Sequence, residues 1–156
     1  MGQLPKLRVA AGFPGFSCTA LDMFGPFQVG CKTLKEAHII VFTCMTSRTI
    51  HLELVTDKST NTFLMAFCRL ALLRGHPINC WSDCGRNFVG AQQYLREVMQ
   101  GWDIPRMQCL WEWNVPRASH ENGVVESLFK SVRQALDATS KNHSFTEEQW
   151  EHILQK

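Results

Sequence analysis

A nearly unbroken apolar run at residues 37–45 constrains the fold of this chain more than any other feature. It reads Ala-His-Ile-Ile-Val-Phe-Thr-Cys-Met. A run of this kind is typical of a strand whose two faces are both covered by protein. Both faces can be covered only if further layers lie above and below the sheet, so the run predicts a layered fold.

Four more segments have strand patterns, at residues 16–24, 48–55, 78–82 and 107–113. The first is interrupted by Gly25-Pro26, where we expect the strand to end. In the second, His51 and Glu53 alternate with Ile50, Leu52 and Leu54, which predicts a strand with one wet face.

Helical spacing of apolar residues predicts four helices, at residues 59–74, 91–100, 121–138 and from 146 into the C-terminus. Ser59 is expected to cap the first helix, and Gly75 to end it. Thr146 and Gln149 have the spacing of a capping box at the start of the last helix.

The order of these elements predicts the topology. The first three strands have short connections and should form an antiparallel meander. The later strands are separated by helices and should run parallel to a central strand. The prediction is an α/β fold with a mixed five-stranded sheet flanked by helices.

Bulk properties allow one globular domain. The chain has 156 residues and a net charge of +2, from 16 basic and 14 acidic side chains. Residues 1–15 are read as an extended arm or linker remnant and residues 16–156 as the domain. The seven cysteines are odd in number and irregularly spaced, which favours a reducing compartment over a disulfide scaffold. Without an apolar run of membrane-spanning length or a signal peptide, a soluble intracellular protein is expected.

Three acidic residues, Asp22, Asp83 and Glu126, are the candidate catalytic and metal-binding groups. Asp22 falls in a strand among apolar residues, where a carboxylate is costly unless it meets a cation or strong donors. Asp83 follows the fourth strand, and Glu126 lies in the first turns of a helix. Oxygen ligands of this kind favour magnesium or manganese. Singly, each has an ordinary explanation as a turn residue or a solvated helix position.

The surroundings of these residues resemble the integrase catalytic core of retroviruses and long-terminal-repeat retrotransposons, most closely the Bel-Pao type. The resemblance spans about residues 4 to 137 and consists of blocks in the family's order. The blocks that contain the acidic residues are Leu21-Asp22-Met23-Phe24-Gly25-Pro26-Phe27, Ser82-Asp83-Cys84-Gly85-Arg86-Asn87-Phe88-Val89-Gly90 and Pro116-Arg117-Ala118-Ser119-His120-Glu121-Asn122-Gly123-Val124-Val125-Glu126.

This resemblance implies a ribonuclease-H-like fold and a polynucleotidyl transferase. It implies DNA 3′-end processing and strand transfer, with Asp22, Asp83 and Glu126 holding two Mg²⁺ or Mn²⁺ ions. The implied partners are DNA, both element ends and target DNA, and further copies of the chain in a homodimer or higher oligomer.

Basic residues near Glu126 are candidate DNA contacts. Glu126, Lys130 and Arg133 are spaced i, i+4 and i+7, so they share one face of a helix. His120, at the end of the preceding loop, is a further candidate. The alternatives are a solvated basic face with an ion pair from Glu126 to Lys130, and a helix-capping role for His120.

Several residues depart from the family's pattern. The family usually has other residues at the positions of Cys84, Ser119, Glu121, Asn122 and Val125. These positions surround Asp83 and Glu126, and they favour an alternative: a catalytically silent, host-adopted integrase-derived domain that acts in DNA or protein binding. A third hypothesis is a nuclease of the same fold that cleaves RNA–DNA hybrids.

Overall fold

The computed structural model describes residues 14–30, 33–83, 85–102, 109–113, 123–140 and 145–154. Strands and helices follow one another along these residues in the predicted order. They are β1 (Cys18–Val29), β2 (Lys35–Cys44), β3 (Ile50–Val55), α1 (Thr60–Arg74), β4 (Asn79–Ser82), α2 (Arg86–Trp102), β5 (Leu110–Trp113), α3 (Gly123–Ser140) and α4 (Glu147–Leu154). The predicted arm lies almost wholly outside the described residues.

The five strands form one sheet in the order β3-β2-β1-β4-β5. β1 pairs antiparallel with β2, and β2 antiparallel with β3, which confirms the predicted meander. β4 pairs parallel with both β1 and β5. β2 contains the apolar run and is an interior strand, buried from Ala37 to Cys44. The predicted α/β fold with a mixed five-stranded sheet flanked by helices is confirmed.

The prediction that β1 ends at Gly25-Pro26 is wrong. The strand continues to Val29, and the two residues are absorbed as an irregularity between Phe24 and Phe27. Gly25 has a φ of 132°, and a Cβ there would lie 2.9 Å from Cδ2 of His38. Only glycine fits this backbone conformation and this close approach. The strand is therefore long enough to extend the sheet beyond Asp22.

One face of the sheet is covered by α1 and α2. Their apolar residues pack with those of β1, β2 and β4 into a single aromatic cluster. Phe63 of α1 is its centre, with ring centroids 5.0–6.4 Å from four other aromatic rings. Those rings belong to Phe42, Phe67, Phe88 and Trp111. Ser59 caps α1 as predicted, since its side chain accepts a hydrogen bond from the Thr62 backbone N–H.

The other face is covered by α3 and α4 and has two smaller clusters. The Trp150 cluster contains Phe24, Phe27, Val29, Ala37, Ile39, Val41, Leu136 and Trp150. The Cys18 cluster contains Cys18, Ala20 and Met45. Phe129 of α3 packs against both. The predicted capping box of α4 is confirmed, because Thr146 and Gln149 bond reciprocally between side chain and backbone N–H.

The prediction that β3 has one solvent-exposed face, formed by His51 and Glu53, is wrong. His51 and Glu53 are each only 12% exposed, because α1 lies over them. Nε of Arg69 on α1 donates to Glu53 Oε2 at 2.7 Å, and His51 Nε2 lies 3.0 Å from Glu53 Oε1. Burial raises the pKa of Glu53, but the hydrogen bonds from His51 and Arg69 outweigh it and hold the pKa below its usual value.

No helix in the described part of the chain combines the length and the apolar character needed to cross a membrane.

Candidate active site

Asp22 and Asp83 are neighbours at the point where β4 ends beside the middle of β1. Ala20 of β1 pairs with Trp81 of β4, and each aspartate lies two residues beyond this pair. Asp83 directly follows the last residue of β4. The carboxyl end of β4 therefore lies beside Asp22 of β1, and open α/β sheets commonly bind ligands at the carboxyl ends of their strands.

The two carboxylates interact electrostatically. Burial raises the pKa of Asp22 above its ordinary value, and the nearby charge of Asp83 raises it further. The backbone N–H of Met23, which donates to Asp22 Oδ1 at 2.8 Å, and the charge of Arg133 act in the opposite direction without cancelling the rise in pKa. Asp22 is thus a half-buried carboxylate without full compensation for its charge.

Asp83 is held by the turn that follows β4. Its Oδ1 accepts the backbone N–H of Gly85 at 3.0 Å. A Cβ at Gly85 would lie 3.1 Å from this oxygen and 2.9 Å from Oδ1 of Asn87, so a side chain there would press on the carboxylate. The ordinary interpretation of Asp83 as a turn residue is therefore also correct, and the turn fixes its orientation.

α2 starts five residues before its predicted first residue. The backbone N–H groups of Phe88 and Val89 both donate to the Gly85 carbonyl, so the first turn forms directly after the aspartate turn. The helix consequently begins at Arg86, beside Asp83.

Glu126 is not brought into a ligand group by the described residues. It lies exposed in the first turn of α3. Nowhere in the described ranges do three or more His, Cys, Asp or Glu residues gather closely enough to hold a metal ion. α3 packs onto β1 through Phe129, whose ring meets Phe24 edge-on at 6.0 Å. The structure thus places Asp22 with Asp83, and the role of Glu126 as the third ligand stays a prediction.

Arg133 is the better placed of the two basic candidates on α3. Its Cζ lies 4.5 Å from the centroid of the Phe24 ring, within cation–π range. Lys130 is exposed, and it forms no ion pair with Glu126, although both residues belong to the described part of the chain. The ion pair between Glu126 and Lys130, which was the alternative interpretation of this helix face, is therefore not formed.

Several sequence candidates lie outside the described residues. They are the proposed DNA contact His120 and the departures Cys84, Ser119, Glu121 and Asn122. Val125 belongs to α3, but its side chain is not described.

Sequence reasoning missed Phe24 as a partner of the site. Phe24 follows Asp22 by two residues, so both side chains point to the α3 side of the sheet. Beside it, Gly25, Pro26 and Phe27 line an open cleft together with Arg133 and Asp137 of α3. The available signal was the strand alternation, which places Asp22 and Phe24 on one face.

Comparison with known proteins places the fold. No protein-family model and no curated protein sequence matches the chain. Among solved structures, it is similar to the catalytic core domain of BIV integrase, with 15% identity, a TM-score of 0.58, and coverage of 86% of this chain and 78% of that one. It is also similar to the HTLV-2 integrase catalytic core domain in complex with magnesium, in a trimeric form. That match has 14% identity, a TM-score of 0.52, and coverage of 85% and 78% of the two chains.

At sequence identities of 14% and 15%, this structural similarity shows the fold alone. The shared architecture is the mixed five-stranded sheet flanked by helices. The relation to the Bel-Pao type stays a prediction. The chain has the ribonuclease-H-like fold of retroviral integrase catalytic cores.

Proposed function

We propose that this chain is an integrase-like polynucleotidyl transferase that processes DNA 3′ ends and transfers strands, with Asp22, Asp83 and Glu126 as its catalytic carboxylates. The observation that carries the proposal is the pair of Asp22 and Asp83. Placing a half-buried carboxylate beside a second one raises the pKa of Asp22 and disfavours its ionised form. A divalent cation between the two would remove this penalty, so the pair is suited to metal binding.

The donor set fits magnesium or manganese. Both ions prefer carboxylate oxygens, and Asp22 and Asp83 offer them where β4 ends beside β1. The similar HTLV-2 core was solved with magnesium. Two bound ions would activate the attacking hydroxyl and stabilise the leaving oxygen. The contribution of the protein would be placement: the Gly85 turn orients Asp83, and α3 carries Glu126 on the same side of the sheet as Asp22.

DNA is the proposed substrate and partner, as element ends and as target. Arg133, Lys130 and His120 are its proposed contacts. Arg133 supports the proposal best, because stacking on Phe24 holds its guanidinium close enough to influence Asp22. A planar cation fixed in this way can bind a phosphate with little further loss of side-chain entropy.

Self-association is proposed to occur through the outer face of α1. Met65, Leu72 and Leu73 are 62%, 86% and 69% exposed on this helix, with Cys68 exposed between them. Exposed apolar residues grouped on one helix are typical of an interaction surface. The HTLV-2 core was solved in a trimeric form. A homodimer or higher oligomer is therefore proposed, and Leu72→Glu should lower the mass measured by sedimentation if α1 is the contact.

A second candidate function is a catalytically silent integrase-derived domain that binds DNA or protein. It is favoured by the absence, in the described ranges, of a three-residue ligand group that includes Glu126. The departures around Asp83 and Glu126 in the sequence also favour it. This candidate keeps the fold and the basic face of α3 but loses the reaction.

The deciding experiment uses a branched DNA that imitates an integration product. Reversal of strand transfer on this substrate, with Mg²⁺ or Mn²⁺, supports the transferase. Asp83→Asn should lower the rate more than about 100-fold, since even residues that only support metal ligands commonly matter 10–100-fold. Glu151→Gln is the matched control, because Glu151 is an exposed acid on α4 and should be neutral.

Calorimetric titration with Mn²⁺ separates the two candidates. Two-site binding that is lost in both Asp22→Asn and Glu126→Gln supports the transferase. A folded protein that binds no metal and leaves the branched DNA intact would establish the silent domain. Full activity of Asp83→Asn would contradict the roles assigned here.

A further inference from the structure

Two thiols meet on the α1 side of the sheet, between β4 and β5. The Sγ atoms of Cys80 and Cys109 lie 3.2 Å apart. Cys80 is 0% exposed within the aromatic cluster, whereas Cys109 is half-buried at its rim. All five cysteines that the structure describes are free thiols, and these two have their sulfur atoms in direct contact.

The strand register shows what a bond between them would require. Asn79 pairs with Leu110, so Cys80 follows this pair on β4 and Cys109 precedes it on β5. The thiols are therefore diagonal neighbours, and their sulfurs must approach by about 1.2 Å to reach the disulfide length of about 2.0 Å. Cys109 lies just before the first residue of β5, which is an edge strand. An edge strand is paired on one side only, so it can move by this distance more easily than an interior strand can.

We propose that Cys80 and Cys109 form a reversible disulfide when the protein meets a peroxide. Cys109 loses its proton to solvent, and the half-exposed thiolate attacks one oxygen of hydrogen peroxide. The O–O bond breaks, the departing hydroxide takes up a proton from solvent to become water, and Cys109 becomes a sulfenic acid. The sulfur of Cys80 then attacks the sulfenic sulfur; the S–O bond breaks, the Cys80 proton goes to the departing hydroxide, and a second water leaves. The two sulfurs lose two electrons to the peroxide, and a dithiol restores both thiols.

The order of these steps follows from the surroundings of the two sulfurs. Burial raises the pKa of Cys80 well above its usual value, and the neighbouring Cys109 raises it further. A thiol in this position is a poor first nucleophile. Cys109 is reachable from solvent and acts first, and Cys80 is the resolving thiol.

The bond would tie the edge strand to the strand that leads into Asp83. Nε1 of Trp111 on β5 donates to Ser82 Oγ at 2.8 Å, and this hydroxyl donates to the Asp83 carbonyl at 2.9 Å. A shift at Cys109 would therefore occur two residues from Trp111, the hydrogen-bond partner of Ser82. This inference goes beyond the proposed function and does not depend on it, because disulfide formation can be measured without any DNA reaction.

The test treats the folded full chain with hydrogen peroxide, blocks the remaining thiols with an alkylating agent, and maps peptides by mass spectrometry. A peptide crosslinked between Cys80 and Cys109, absent after treatment with dithiothreitol, is expected. Cys109→Ser should abolish it. Cys68→Ser should leave it unchanged, because Cys68 is exposed on α1, away from the pair. Circular dichroism on both variants establishes that they are folded.

Two results would overturn the proposal. One is oxidation of Cys109 to its sulfinic acid in the folded protein with no crosslinked peptide. The other is a crosslink from Cys109 to Cys31 or Cys84 in place of Cys80. Cys80→Ser should also abolish the crosslinked peptide; if this variant of a buried residue fails to fold, the mapped partner of Cys109 in the parent still decides between the outcomes.

Discussion

The two faces of the sheet differ in how their apolar cores are built. The α1 face has one continuous apolar cluster centred on Phe63, and the charged Glu53 on this face is paired with Arg69. The α3 face is divided into two clusters along β1: Ala20 belongs to one and Phe24 to the other, with Asp22 between them. The apolar packing of the α1 face is continuous, whereas that of the α3 face is interrupted at Asp22. This arrangement is expected of a site inserted into a core, because burying a charge opposes packing.

On the α3 face, which Asp22 divides, Phe129 connects the two apolar clusters. Its side chain packs against both clusters and contacts the Phe24 ring. The same helix therefore supplies the apolar bridge and, one turn earlier, Glu126. Movement of α3 would alter packing and the site together.

The largest effect is expected on the continuous face. Phe63→Ala should lower the free energy of unfolding by about 3–5 kcal/mol, because it removes a buried ring and leaves a cavity. Urea denaturation measures the change. Tyr94→Ala, at a side chain 52% exposed, is the control and should stay within about 0.5 kcal/mol of the parent. A loss below about 1 kcal/mol for Phe63→Ala would show that the cluster repacks and is not the main source of stability.

On the divided face, Arg133→Ala should weaken DNA binding across sequences. Because Arg133 is proposed to contact phosphate, its removal should reduce the slope of log affinity against log salt by about 1. Lys130→Ala should reduce the slope similarly if both cations bind phosphate. Fluorescence anisotropy over a salt series measures both. An unchanged slope for Arg133→Ala would assign this arginine to the internal contact with Phe24 alone.

Phe24→Leu tests whether the ring positions the arginine. Loss of the cation–π contact, typically about 0.5–1 kcal/mol at an accessible site, should lower DNA affinity about two- to fivefold. The same change in an Arg133→Ala background should have no further effect on binding. Equal losses in both backgrounds would mean that Phe24 acts only through folding, which thermal melts would report separately.

Without metal, Asp22→Asn should raise the free energy of unfolding of the protein by a small amount. Because the folded-state pKa of Asp22 is raised, the folded chain binds the proton more tightly than the unfolded chain does. The contribution of Asp22 to the free energy of unfolding is therefore fully present below its unfolded pKa, near 3.8, and is lost as pH rises through the raised folded pKa. The variant should have a higher Tm than the parent at pH 7 and lose this advantage at pH 3.

Magnesium should reverse that ranking. Added Mg²⁺ should raise the Tm of the parent and not that of Asp22→Asn, because only the parent has both carboxylates. Glu151→Gln, at an exposed acid of α4, is the control and should keep the response of the parent to Mg²⁺ at pH 7. A variant less stable than the parent at pH 7 would contradict the raised pKa.

Much of the fold could be predicted because its patterns are local. The run in β2, the cap at Ser59 and the capping box at Thr146 each depend on neighbours in the chain. Gly25-Pro26 misled the prediction, because a bulge is tolerated when the adjoining strand leaves room for it. The alternation in β3 was correct, but α1 covers the polar side, which periodicity cannot reveal.

The candidate site was predictable only in part. The pairing of Asp22 with Asp83 follows from parallel strands, which the element order predicts. The contact of Arg133 with Phe24 depends on the angle at which α3 crosses β1, and no short-range pattern encodes it. For the same reason, the spacing of Glu126 specified its helical face but not its distance from the aspartates.

The extension of β1 beyond its bulge has a consequence for how the chain folds. Val29, near the end of the first strand, forms a parallel bridge with Phe145, and the Gly30 backbone N–H donates to the Phe145 carbonyl at 2.8 Å. Trp150, which then covers Phe27, is fully buried. These partners are separated by most of the chain, and contacts between distant segments slow folding. During synthesis, Phe27 therefore stays without its Trp150 cover until α4 has left the ribosome, and an apolar face uncovered for this long is prone to aggregation.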